Sequence, residues 1–213
     1  MVRIYLDVET CRHRKEDAFI NERVIAIGLL EDFTPYTQDS LNKPVNEWLF
    51  TEWELGTEEA VIKNFYNYLT TLKNKASFIV VVGFNILRTD IPLLIQKGVK
   101  FEELSRLNQL WHNMFTIDFF QLLLLTNKFT FKGLKLAKVI QFIRDELGCK
   151  DAPLIEEHGE KVAEAYKGKR YEDIEKWLKQ DLYAVRYLDL SAAVTKLVEY
   201  SLKEGKRLFS DSE

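Results

Sequence analysis

Ile4-Tyr5-Leu6-Asp7-Val8-Glu9-Thr10 continues an alternation that starts at Val2, with Val2, Ile4, Leu6 and Val8 set against Arg3, Tyr5, Asp7 and Glu9. A period of two predicts a short strand with one face in a core. Side chains two apart on a strand point the same way, so Asp7 and Glu9 share a face. Two carboxylates crowded at a strand end repel each other, and a cation, a shared proton or open water relieves them. These residues alone allow two readings, a solvated strand end and a metal site. The rest of the chain has to choose between them.

Working outward, Arg12-His13-Arg14-Lys15 follows as a basic loop, open to reading as a solvated turn or as a phosphate contact. Arg23 to Leu30 is a second strand, rich in β-branched residues. Residues 34–46 carry Pro35 and Pro44 and read as an irregular excursion, and Glu47 to Trp53 as a third strand. Thr57-Glu58-Glu59-Ala60 is close to a capping box. Val61, Ile62, Phe65, Leu69 and Leu72 then follow at helical spacing. Phe78-Ile79-Val80-Val81-Val82 is a continuous apolar run, as expected of a central strand buried on both faces.

Gly83 and Asn85 allow a sharp exit from that strand, and Asp90 and Pro92 fit the start of a helix. Taken alone, Asp90 reads as a capping aspartate. Phe115 to Asp118 predicts another strand, Phe119 to Thr126 a helix with Asp118 as its cap, and the residues after Gly133 a helix ending at Gly148. Lys128, Lys132, Lys135 and Lys138 make the densest basic stretch, either a solvated helix face or a contact to a phosphate backbone. Glu156 to Tyr166 predicts a helix. From Tyr171 a long helix sets Ile174, Trp177, Leu178, Asp181, Val185 and Leu188 at spacings of three and four. Asp181 is therefore an acid on an inward face, where an unpartnered carboxylate is costly.

Composition bounds the class. The chain has 213 residues, 46% of them hydrophobic and 13% aromatic, which predicts one folded α/β domain over 1–213, with residues 190–213 as a C-terminal helix and tail. Cys11 and Cys149 give neither a disulfide framework nor metal-ligand spacing. The run Ile117 to Leu125 is too short to span a bilayer, and no leader is visible; a cytoplasmic, non-membrane protein is expected. His13, His112 and His158 are far apart, and none has a partner at ligand spacing. The net charge of -3 gives no global nucleic-acid signal, and does not exclude one, because an acid cluster subtracts from a local basic surface.

Three distant elements thus aim carboxylates inward: Asp7 and Glu9, Asp90, and Asp181. Oxygen-only ligands suit Mg²⁺ or Mn²⁺, and four carboxylates carry charge for two such ions. Two metals roughly 3.5–4 Å apart are the arrangement for phosphoryl transfer.

The order Asp7-x-Glu9-Thr10, then Gly83-x-Asn85-x4-Asp90-x-Pro92, then Trp177-x3-Asp181 resembles the DEDD (DnaQ-like) superfamily of 3′-5′ exonucleases, most like the exonuclease of family-B DNA polymerases. The resemblance spans residues 4 to about 190. It implies a ribonuclease H-like fold, a mixed sheet flanked by helices. It also implies hydrolysis of single-stranded DNA, or less readily RNA, from 3′ ends by two divalent ions, Mg²⁺ or Mn²⁺. Asp7, Glu9 and Asp181 would hold the catalytic metal, Asp7 would bridge to the second, and Asp90 would complete it. Thr10, Asn85, Arg88, Lys132, Lys135 and Trp177 are the expected substrate contacts. The chain departs from the family pattern at Trp177, where a tyrosine orients the attacking water, and at Thr89, where the polymerases carry an aromatic; the alternative histidine position is Lys176. Indole has one donor and no acceptor, so it cannot take a proton. That departure leaves a second reading open, a non-catalytic nucleic-acid-binding module on the same fold, and a weaker third, a structure-specific endonuclease.

Overall fold

The structure is a computed structural model that describes residues 1–12, 19, 21–159 and 161–209. Strand β1 (Val2–Cys11) lies in the middle of a five-stranded sheet. On one side β2 (Arg23–Asp32) pairs with it antiparallel, and β3 (Asn46–Thr51) pairs antiparallel with β2. On the other side β4 (Ile79–Gly83) and β5 (Phe115–Asp118) follow in parallel, giving the order β3-β2-β1-β4-β5. The helices are α1 (Glu52–Leu55), α2 (Glu58–Lys75), α3 (Asp90–Gly98), α4 (Leu104–His112), α5 (Phe119–Leu123), α6 (Leu136–Asp145), α7 (Val162–Lys167), α8 (Tyr171–Leu190) and α9 (Ala193–Glu204).

Period-two alternation divides β1 between two cores. Val2, Ile4 and Leu6 pack with Phe65, Leu94 and Leu107 from α2, α3 and α4. Tyr5 joins Val82, Phe120, Val139, Leu178 and Leu197 on the opposite face. The sequence predicted one buried face, yet Arg3 and Tyr5 are buried too. Their polar groups meet partners brought from far along the chain. Tyr5 donates to Asp189 at 2.9 Å, and Arg3 lies 3.3 Å from Asp32 and 3.6 Å from Asp189. Arg186 on α8 completes the set, with Nε 2.9 Å from Asp32 and its terminal nitrogens on the carbonyls of Ser40, Leu41 and Lys43. The proline-bearing excursion over 34–46 is thereby tied to α8.

Other expectations shift by local chemistry. Thr57 caps α2 as its sequence suggests, accepting from Ala60 N–H at 3.1 Å. The helix after Phe119 is α only to Leu123 and continues as a 3-10 turn over Leu124–Asn127. The helix expected over Glu156 to Tyr166 is only Val162–Lys167. His158 binds the carbonyl of Glu156 and reaches across to β1, which holds the residues before it out of a helix. Cys11 and Cys149 are both free and buried. Among the described residues no helix is long and apolar enough to cross a membrane.

One glycine sets how closely α8 approaches the sheet. Gly28 on β2 pairs directly with Asp7 on β1. A Cβ at 28 would lie 2.8 Å from side-chain atoms of Leu178 and Leu182, the residues that bracket Asp181. Only a missing side chain lets α8 settle this low beside Asp7.

Candidate active site

The β1–β2 register shifts between Glu9 and Thr10, the kind of bulge that re-aims a side chain at a strand end. Asp7 and Glu9 come from this stretch, on the face that α8 covers. Asp90 opens α3 after a turn in which Asn85 adopts a left-handed backbone, φ 67°. The turn is pinned by Asp118, whose carboxylate accepts from Asn85 N–H at 2.7 Å and Leu87 N–H at 3.0 Å. Asp118 also caps α5 through Phe120 N–H at 2.9 Å, the role its sequence context suggests. The Thr89 hydroxyl donates to Asp90. Asp181 enters from α8.

The four acids sense one another. Burial, and then the charges of Asp181, Glu9 and Asp90, push the Asp7 carboxyl well above the usual carboxylate range, against a hydrogen bond with the Val8 backbone. Burial pushes Asp90 up to about 6; the Thr89 hydroxyl and backbone hydrogen bonds oppose it, and the Glu9 charge adds to it. Burial pushes Asp181 up to about 7, with His158 pulling down and Glu9 pushing up. The site holds more negative charge than its surroundings balance.

His158, which sequence spacing set aside, is the site's one cationic partner among these groups. Its Nε2 stands 3.1 Å from Glu9 Oε1 and 3.6 Å from Asp181 Oδ2. Its Nδ1 is 2.9 Å from the Glu156 carbonyl. A carbonyl only accepts, so Nδ1 carries a proton. Burial alone would lower its pKa; the hydrogen bond to Glu9 and the charges of Asp181 and Glu9 outweigh burial and raise it to about 9. The imidazole lies parallel to the indole of Trp177, ring centroids 5.3 Å apart and planes 6° apart. Trp177 is only 6% exposed and packs with Cys11, Ile25 and Ile174, so the indole expected to meet substrate has a histidine against it instead.

A cleft of about 290 Å³ opens on the site, lined among others by Asp7, Thr10, Arg12, Glu22, Phe84 and Asp90. Thr10 donates to Glu22 at 2.6 Å, and Arg12 lies 3.7 Å from the same carboxylate. The rest of the predicted basic loop, residues 13–15, lies outside the described residues. Asn85 and the exposed Arg88 sit on the turn leading to Asp90, and the buried Oδ1 of Asn85 has no hydrogen-bond partner among the described residues. Lys132 and Lys135 are exposed on the segment before α6, and Lys135 is ion-paired with Glu157.

Among the described residues no three His, Cys, Asp or Glu side chains stand close enough together to enclose an ion. The donor chemistry nevertheless fits a hard divalent cation, because the side chains are oxygen-only and burial and nearby negative charge hold Asp7, Asp90 and Asp181 above the usual carboxylate range.

No family model matches the chain, and no curated protein matches its sequence. Solved structures do match its fold. The family B DNA polymerase from the hyperthermophilic archaeon Pyrobaculum calidifontis superposes over 100% of this chain, with a TM-score of 0.61 at 13% identity. The zinc-bound Escherichia coli ExoI–ssDNA complex superposes over 93%, with a TM-score of 0.52 at 12% identity. The chain spans 31% of the first and 42% of the second. The fold is accordingly the α/β, ribonuclease H-like one that the sequence motifs imply.

Proposed function

We propose that this chain is a metal-dependent 3′-5′ exonuclease acting on single-stranded nucleic acid, DNA in preference to RNA. The observation that carries the reading is the convergence of four mutually repelling carboxylates, Asp7, Glu9, Asp90 and Asp181, from three elements distant in sequence. The ssDNA in the ExoI complex of the same fold supports the choice of substrate. The four acids would hold two divalent ions, Mg²⁺ or Mn²⁺, which when bound supply Lewis-acid charge at the scissile phosphate. Thr10, Asn85 and Arg88 would position the 3′ end. Lys132 and Lys135 would meet the phosphate backbone farther out.

His158 supports the catalytic reading over a non-catalytic module. The argument for such a module rested on the lack of a proton acceptor at position 177. The charges of Glu9 and Asp181 hold His158 protonated; cations held by those carboxylates would remove that pull, and the neutral ring would then keep its proton on Nδ1, held by Glu156, and turn an acceptor, Nε2, toward Glu9 and Asp181. This atom can orient the attacking water and take its proton. Trp177 is then a positioning residue, whose parallel ring fixes the imidazole plane.

Incubating 5′-labelled single-stranded DNA and RNA with Mg²⁺, Mn²⁺ or chelator tests the reading. Ladders shortening from the 3′ end in metal and not in chelator are expected; intact strands under every condition would refute it. In the same assay His158→Ala should lower the single-turnover rate on the order of 10²–10⁴-fold with strand affinity unchanged. Trp177→Leu should lower it less. A His158→Ala protein with the parent's rate would remove the histidine from the mechanism.

A further inference from the structure

The segment after α5 presents phenylalanines to water from a rigid support. Phe129 is 69% and Phe131 52% exposed. Lys128 and Phe129 both adopt left-handed backbone, φ 51° and 56°, a conformation that non-glycine residues keep only where their surroundings impose it. What imposes it is Asn127, fully buried. Its amide donates to the carbonyls of Thr130 and Lys132, and its oxygen accepts from Arg207 Nε at 3.2 Å and Phe209 N–H at 3.1 Å. Scattered exposed phenylalanines are ordinary on a protein surface. Here the backbone that carries them is fixed from beneath.

A cation and a path to the acids complete the arrangement. The Arg88 guanidinium stands 4.2 Å from the centre of the Phe131 ring and 5.6 Å from that of Phe120. Phe120 and Phe131 lie near parallel, 6.0 Å and 16° apart. Phe84 meets Phe120 edge to face at 5.6 Å, and Phe84 lines the cleft that holds Asp7 and Asp90. Ring contacts through the buried Phe120 therefore tie Phe131 to the wall of the acid cleft, and Arg88, two residues before Asp90, supplies positive charge beside them.

We propose that Phe131 and Arg88 form a stacking platform for one base of a single strand whose 3′ end lies at the acids, an assignment that rests on the exonuclease reading. Every base has a π-face, so stacking on a ring tolerates any sequence, and a guanidinium adds attraction for both base and phosphate. An exposed, cation-covered ring joined to the acid cleft suits such a strand better than a duplex, whose base faces are hidden.

The test is a cycle of protein and strand variants read by fluorescence anisotropy, in Mg²⁺ and again in chelator. The strands carry phosphorothioate 3′ linkages that resist hydrolysis, and an abasic spacer is stepped inward from the 3′ end. In the parent, the spacer at one position should weaken binding on the order of tenfold. In Phe131→Leu that penalty should vanish, the intact strand falling to the affinity of the abasic one, whereas Phe131→Trp should keep it. An undiminished penalty in Phe131→Leu, or no position-dependent penalty in the parent, overturns the platform. Hydrolysis takes no part in the readout. A protein that passes this test and cleaves nothing would refute the exonuclease reading and leave the platform standing; one that cleaves and fails the test would do the reverse.

Discussion

The Asp7→Asn protein is expected to hydrolyse no single-stranded nucleic acid and, without metal, to melt at a higher temperature than the parent at pH 8. On the proposed exonuclease reading, Asp7→Asn would remove a metal ligand from the centre of the acid set and forfeit several kcal/mol of charge stabilisation at the phosphate, on the order of 10³-fold or more in rate. The gain follows from linkage. Asp7 is pushed well above its ordinary range, Asp90 to about 6 and Asp181 to about 7, whereas an unfolded aspartate titrates near about 3.9. Between those values the native protein binds more protons than the unfolded one, so stability falls as pH rises from about 4 to about 7. His158 has the same sign: raised to about 9, it contributes fully below about 6.5, and that contribution is lost as pH rises through 9. Thermal melts from pH 4 to 9 should therefore show the metal-free parent losing stability across the range, and Asp7→Asn losing less. Adding Mg²⁺ should raise the parent's melting temperature by mass action and raise the variant's less. A pH-independent difference between the two proteins, or a parent indifferent to Mg²⁺, would contradict the account.

Arg186→Met should be the most destabilising change away from the acids, costing about 3–5 kcal/mol because it leaves a buried partner uncompensated. Arg186 is 2% exposed and joins Asp32 to three carbonyls of the 34–46 excursion. Without it, Asp32 would keep only Arg3 as its cationic partner among those observed. For a chain of this size the loss corresponds to a fall in melting temperature on the order of 10 °C. Adding Asp32→Asn to Arg186→Met should recover part of it, because an unpartnered charge costs more than an absent pair. Urea unfolding gives the comparison directly. A single variant with an unchanged midpoint would mean that the network contributes nothing net.

What could be read from the residues was what local pattern dictates. Alternation gave β1, a β-branched apolar run gave β4, and an acid on an apolar helical stripe marked Asp181 as inward-facing. Asp118 could be read as a cap because its capping partner, Phe120 N–H, is two residues away, whereas its bonds to Asn85 and Leu87, more than thirty residues back, could not be read. The residues that could not be read are those whose partners are remote. Arg3 and Tyr5 occupy the polar positions of an alternating strand and passed as a solvated face, because Asp189 and Arg186 have no sequence relation to them. Gly28 looks unremarked in a β-branched run; its purpose depends on the strand register and on α8. His158 lies on a loop read as helix, and no ligand spacing connects it with Glu9 or Asp181. One signal was present. Trp177 cannot accept a proton, and on the exonuclease reading that directs attention to other side chains near the acids.

The central place of β1 has a consequence for the making of the chain. β1 is synthesised well before β4, yet the edge running Val2 to Tyr5 is closed only by β4, from Ile79 onward. Until then β1 can pair with β2 alone and shows a bare, strongly apolar edge, which is a template for joining another copy. Asp7 and Glu9 sit on that same strand, and a second copy laid in register would bring like charges together. The repulsion that weakens the finished, metal-free site thus keeps unfinished chains apart. Asp7→Asn, the better-melting protein once folded, should then be the one that loses more material to aggregation when both are refolded at rising concentration.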